Sequence, residues 1–170
     1  MYIQNGILNI LESTVLAFCN QLAQAANAQL NTNLSVVLFD TAPEEEELPK
    51  TDLIGSYNLE FKVDSHFIDG TFLLGVSTLN DPSLFRLRQI TSFVLDECLP
   101  EKTIQLYNAD GNPILGNLVI LDEVSVLPTN KDSKLRAARF IGIPFKCTRT
   151  IWKTLIQMES GTTAYLAHYL

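Results

Sequence analysis

The sequence predicts an α+β domain, a mainly antiparallel β-sheet with two amphipathic helices packed on it. Three observations carry that expectation. Apolar residues recur at helical spacing over residues 5–30 and again over about 82–98. Tyr57, Leu59, Phe61 and Val63 alternate with Asn58, Glu60, Lys62 and Asp64, the pattern of a half-buried antiparallel strand. Two long runs rich in β-branched residues, 118–127 and 137–149, flank a polar, basic turn and read as a hairpin around which the domain is built.

With 170 residues, of which 46% are apolar, the chain can fill one core without metals or disulfides, so no cofactor is expected. A single domain is expected over residues 1–150, with residues 151–170 as an extension or arm. Cys19, Cys98 and Cys147 cannot all pair within the chain and form no CxxC, so they read as free buried thiols. The N-terminal stretch lacks a basic residue ahead of its apolar part and a small-residue cleavage pattern, so no secretory signal is expected. No apolar run approaches the ~20 residues of a membrane span.

Taking the elements in order, Ile7, Leu11, Val15, Phe18, Leu22 and Ala26 form the stripe of the first helix, widened by Leu8, Cys19 and Ala23. Gln4 or Asn5 caps its start, and the asparagines of Asn31-Thr32-Asn33 end it, because asparagine tolerates the left-handed conformation that closes helices. Residues 34–40 are nearly continuously apolar, which suits a strand covered on both faces inside the sheet. Glu44, Glu45, Glu46 and Glu47, set between Pro43 and Pro49, repel one another and read as a solvated loop or a contact for a basic partner. After the alternating strand, residues 71–79 give a third strand, with Gly75 as a bulge or a point of close approach.

Asn80 or Asp81 is a good N-cap and Pro82 suits a first turn, so a second helix follows over about 82–98, with Phe85, Ile90, Phe93, Val94 and Leu99 on its apolar face. Arg86 and Arg88 are then solvated or reach a carboxylate. Residues 103–107 read as a short strand and 108–117 as dense turn chemistry. Pro144 has no N–H for a ladder, which puts the returning strand of the central hairpin at a sheet edge, or bulged there, and makes it a place where another chain adds on. Residues 151–170 are broken by Ser160-Gly161, so they read as two pieces that dock on the domain or on a neighbouring subunit.

Charge is divided along the chain. Residues 1–128 hold five basic and seventeen acidic residues, a net −12, while residues 129–170 hold seven basic and two acidic, a net +5. Such a chain can dock head to tail on copies of itself. Its overall acidity opposes binding to phosphate, so no specific nucleic acid is expected. His66 and His168 are the only histidines, and neither has a second histidine or cysteine nearby in sequence. Nucleophile-elbow, dinucleotide, phosphate-loop and zinc-protease motifs do not occur, so no enzyme is expected; a carboxylate pair that meets only in space stays open.

The element order, carried by the amphipathic helix at 7–26, the LSVVLFD run with its acidic sequel, YNLEFKV, NDPSLFRLRQI and RFIGIPFKCTRTI, resembles the tail-terminator proteins of long-tailed bacteriophages and the related cap proteins of contractile injection systems. The resemblance covers roughly residues 5–150 and is one of pattern. It implies a structural protein of the virion tail, assembled in the host cytoplasm: a homo-oligomeric ring, commonly of six subunits, that ends tube polymerisation and meets neck or connector proteins. On that reading Lys131, Lys134, Arg136 and Arg139 face an acidic surface, either Glu44–Glu47 of a neighbour or the tube rim, and Trp152 adds apolar contact. An acidic, dimeric secretion chaperone and an undescribed carboxylate-dependent enzyme are the alternatives.

Overall fold

The computed structural model describes residues 6–40, 48–131 and 135–148. In chain order the elements are α1 (Ile7–Leu30), β1 (Leu34–Leu38), β2 (Asp52–Val63), β3 (Phe67–Leu79), α2 (Phe85–Glu97), β4 (Thr103–Tyr107), β5 (Pro113–Ile120), β6 (Ser125–Val126) and β7 (Arg136–Thr148). The strands form one sheet in the order β1-β2-β3-β7-β5-β4, with β6 beside β7. Only β1 and β2 run parallel; the other pairs are antiparallel. The expected α+β class is thus the observed one.

Alternation decides where the core lies. On β3 the residues Ile68, Phe72, Leu74 and Val76, and on β7 Ile141, Ile143, Phe145 and Cys147, sit on one face and are buried. Ile10, Leu11, Val15, Phe18 and Leu22 of α1 and Leu87, Ile90 and Val94 of α2 join them in a single cluster, so both helices cover that one face. Thr14 also points inward, and its hydroxyl accepts the Tyr107 N–H at 3.0 Å, which ties the edge strand β4 to α1.

The helix ends follow local chemistry. Asn31 closes α1 in the left-handed conformation, at φ 53, as expected. The expected caps Gln4 and Asn5 lie outside the described residues, and Gly6 holds the N-cap position without a side-chain bond. Asn27 then acts as a substitute strand: its amide accepts the Leu34 N–H at 2.7 Å and donates to the Leu34 carbonyl at 3.2 Å, satisfying the first residue of β1. Asp81 caps α2 from four residues before its start, accepting the Leu87 N–H at 3.0 Å and the Thr78 hydroxyl at 3.3 Å.

Several expectations need correction. Strand β1 pairs only with β2 and stands at the end of the described sheet; its apolar run reflects Leu34 and Val36 against the core, while Leu38 is exposed. The alternation at 57–63 is interrupted by a bulge with Asn58 at φ 51, which leaves Leu59 and Phe61 packed on the core and turns Tyr57 out. In α2 the aromatic and terminal residues misled: Phe85 and Leu99 are exposed, and Leu87 takes the buried position.

The central hairpin also differs. Strand β7 lies inside the sheet, between β3 on one flank and β5 with β6 on the other, so it offers no edge. Its partner run is broken in two because of Pro144. Leu121 donates to the Pro144 carbonyl at 2.9 Å, but proline has no N–H to return, so the exchange that would extend β5 fails. The chain leaves through Glu123 at φ 69 and rejoins β7 at Ser125 opposite Gly142.

Burial alone would raise the Asp81 pKa; the Leu87 N–H, the Arg86 charge and N–H, and the Thr78 hydroxyl outweigh it and hold the carboxyl below its ordinary range. A depressed carboxyl stabilises the fold above its unfolded pKa, and that contribution is lost as pH falls through the folded value. Asp81→Ala is therefore expected to cost ~1–2 kcal/mol at neutral pH, with the gap to the parent closing in acid. Denaturant unfolding of both proteins at neutral and acid pH reads this, and a gap that ignores pH contradicts it.

Candidate interaction surface

The sheet face opposite the helices is where chemistry remains available. Its first half is organised by glycines. A Cβ on Gly75 would lie 2.7 Å from the rings of both Phe140 and Phe39, so the close approach expected there is real: the missing side chain is the space those rings occupy. Phe39 meets Phe140 edge-on with centroids 5.7 Å apart, and Tyr57 meets it at 5.5 Å.

Arg136 crosses the same face. From the start of β7 it reaches past β3 to the carbonyls of Thr51 at 3.0 Å and Pro49 at 2.6 Å, with 9% of its surface exposed. Asp40 accepts the Asn58 N–H through both carboxylate oxygens at 3.1 Å. The two ends of the β1–β2 connection are therefore held to this face, and Glu44, Glu45, Glu46 and Glu47, between them, lie outside the described residues. From the helix side Arg86 grips the same end of β2 and β3: it pairs with Asp52 at 2.9 Å and donates to the Leu79 carbonyl at 2.5 Å, while Asp52 accepts the Leu79 N–H at 2.9 Å. The Asp52 carboxylate raises the Arg86 pKa, so that arginine reaches a carboxylate as one of its expected alternatives.

The second half of the face is a shallow trough around the point where β5 leaves β7. One hollow of about 440 Å³ lies between Glu60, Thr71, Leu121 and Pro144, and a second of about 240 Å³ between Phe67, Val119, Leu121 and Lys146. Phe67 is 38% and Leu121 36% exposed. The Lys146 ammonium stands 3.9 Å from the centroid of the Phe67 ring, a cation–π contact. Lys62, Asp69 and Lys146 share one rung across three strands, so charges of alternating sign cross the face between Phe67 on one side and Pro144 and Leu121 on the other.

Of the residues expected to make an interface, the structure brings few together. Lys131 is exposed. Lys134 and Trp152 lie outside the described residues. Arg139 is half-buried and donates to the Leu127 carbonyl at 3.0 Å. Arg136 is a correction: it is buried and bonded to its own chain's backbone, because it begins β7 at the rung next to the strand end it caps. The aromatic cluster and the Phe67–Lys146 pair went unrecognised, since residues far apart in sequence meet only through the β2-β3-β7 order; Gly75 and Pro144 were the available signals.

Chemistry elsewhere is sparse among the described residues, where no three histidine, cysteine or acidic side chains converge to hold a metal. Burial pushes the Cys19 and Cys98 thiols up to about 12, so they are inert at neutral pH, as expected of buried thiols. His66 is exposed in the β2–β3 turn, with Nδ1 2.6 Å from the Ser65 hydroxyl. Asp64 caps that turn, accepting from the N–H groups of His66 and Phe67, which lower its pKa.

Arg136→Ala leaves two carbonyls without their charged donor and is expected to cost ~1.5–3 kcal/mol. Lys131→Ala is expected to stay within about 0.5 kcal/mol of the parent. Equal effects of the two in chemical denaturation would contradict the assignment of Arg136 to the fold.

No protein-family model matches the sequence, and no curated protein does. Among solved structures, a protein known only by a sequence label has a TM-score of 0.52 at 14% identity, over 77% of this chain and 90% of its own. A chain from the virion of a native gene transfer agent particle has a TM-score of 0.42 at 14% identity, over 84% of this chain and 96% of its own. The first is a likeness of fold, the second a weaker one, and neither says what this chain does.

Proposed function

We propose that the chain is a structural subunit of a phage-type tail, a terminator that assembles into a ring on the end of the tail tube and does no chemistry of its own. The observation that carries this reading is the sheet face opposite the helices, where exposed Phe67 and Leu121 stand on either side of a rung of alternating charge. Enclosed, mostly apolar cavities suit small molecules; broad, shallow surfaces with aromatic anchors and a polar rim suit protein partners. The order helix, strand, acidic connection, long hairpin, helix and closing strands agrees with the resemblance in the sequence.

In the proposed ring, of six subunits on the family's pattern, each copy offers one surface to its predecessor and a different one to its successor, a heterologous contact that closes when the rotation allows. Lys131 and Lys134 contribute charge to this contact, and Arg139 contributes from a position already tethered to Leu127. Arg136 is left out, because reversing it would damage the fold before it tested assembly.

Exposed ion pairs are individually worth ~0.2–1 kcal/mol, so assembly is expected to weaken with salt without vanishing. Lys131→Glu combined with Lys134→Glu should lower the assembled fraction in sedimentation at low salt and leave the unfolding midpoint unchanged. Full assembly by this variant would remove the electrostatic contribution. A particle mass of a dimer at all concentrations would instead favour the chaperone alternative.

A further inference from the structure

The trough on the face opposite the helices has a candidate occupant close at hand. The last rung of β7 sets Thr148 opposite Phe67, so the described chain ends on the trough's rim. The 22 residues 149–170 that follow carry Ile151, Trp152, Leu155 and Ile156 within eight positions of that rim, and further apolar residues beyond. Fully extended they span ~70 Å, several times the ~14 Å that separates Thr148 from Pro144 along β7, so reach is no obstacle.

Direction decides which copy is filled. Between Thr148 and Trp152 the sequence is Arg149, Thr150, Ile151, with two β-branched residues and none of the glycine, proline, asparagine or aspartate that reverses a chain. The first turn chemistry is Ser160-Gly161, a dozen residues past the end of β7. A chain that continues straight carries Trp152 away from its own sheet, beyond the β2–β3 turn. We infer that residues 149–170 form an arm that crosses to a second copy and seats Trp152 and its apolar neighbours in that copy's trough between Phe67, Leu121 and Pro144. Arm and trough are different surfaces of one chain, so the contact is head to tail and supplies the apolar part of ring closure. The inference rests on the ring reading and names its contact.

Trp152 is the only tryptophan of the chain, which makes the full-length protein its own probe. Sedimentation reads assembly and tryptophan emission reads the arm, so the two ideas fail separately. Emission at short wavelength in the assembled protein, moving to the solvent-exposed value as dilution releases single chains, is the expected result. Leu121→Lys, or Phe67→Ala as a milder change at an exposed position, should abolish the short-wavelength emission while circular dichroism melts match the parent. Short-wavelength emission that persists in single chains would place the arm on its own domain and overturn the inference. Solvent-like emission from Trp152 within intact rings would also overturn it, and would leave the ring reading standing. A chain that never assembles, alone or with tubes, defeats the ring reading and the inference together.

Discussion

The pairing of β3 with β7 is the constraint on which the remaining structure depends. Each strand is 13 residues long, and the register between them runs from Phe67 opposite Thr148 to Leu79 opposite Arg136 without a shift. Because side chains alternate, this register puts Phe72 with Ile143 and Leu74 with Ile141 on the helix side and gathers the core there. Slipping it by one residue would carry one strand's apolar set to the other face, so the buried cluster holds the register as firmly as the ladder does. Each flank then takes what this pair leaves. Strand β2 joins β3 with a bulge, and β5 joins β7 only as far as Pro144 permits.

Among the described residues, that arrangement leaves a sheet covered on one side. Antiparallel sheets commonly show water a polar face, but here Phe39, Tyr57, Phe140 and Leu73 lie on the open side of the first half, and Phe67 and Leu121 on the second. The first half is held by the chain itself, through ring contacts over Gly75 and through Arg136. The second half is not covered by any described element, and its geometry comes directly from the proline that ends β5. A residue that disrupts one ladder thus makes the hollow in which a partner is proposed to sit.

What could be read from the sequence follows the range of the interactions involved. Helix α1 was legible because its stripe is local and its end is chemically marked by Asn31. The existence of α2 was legible but its start was not: the helix begins at Phe85 after Leu84 at φ 59, so Pro82 lies outside its first turn, and Asp81 reaches the Leu87 N–H from before the helix. Strand order was not legible: β7 looked like an edge because Pro144 lacks a donor, yet a strand can be internal if its neighbour departs at that rung. Arg136 looked like a surface charge for the same reason that Phe39, Gly75 and Phe140 looked unrelated, since their partners are set by long-range pairing alone.

In the proposed function the unshifted β3–β7 pair presents the sheet face opposite the helices to other copies and to a tube. Its most direct test is the polymerisation of purified tail-tube protein in the presence and absence of the chain, with tube lengths and ends recorded by electron microscopy. The account predicts tubes that stop growing and carry a closed ring of the chain at one end. Tubes of unchanged length with bare ends, or the chain distributed along their walls, would contradict it.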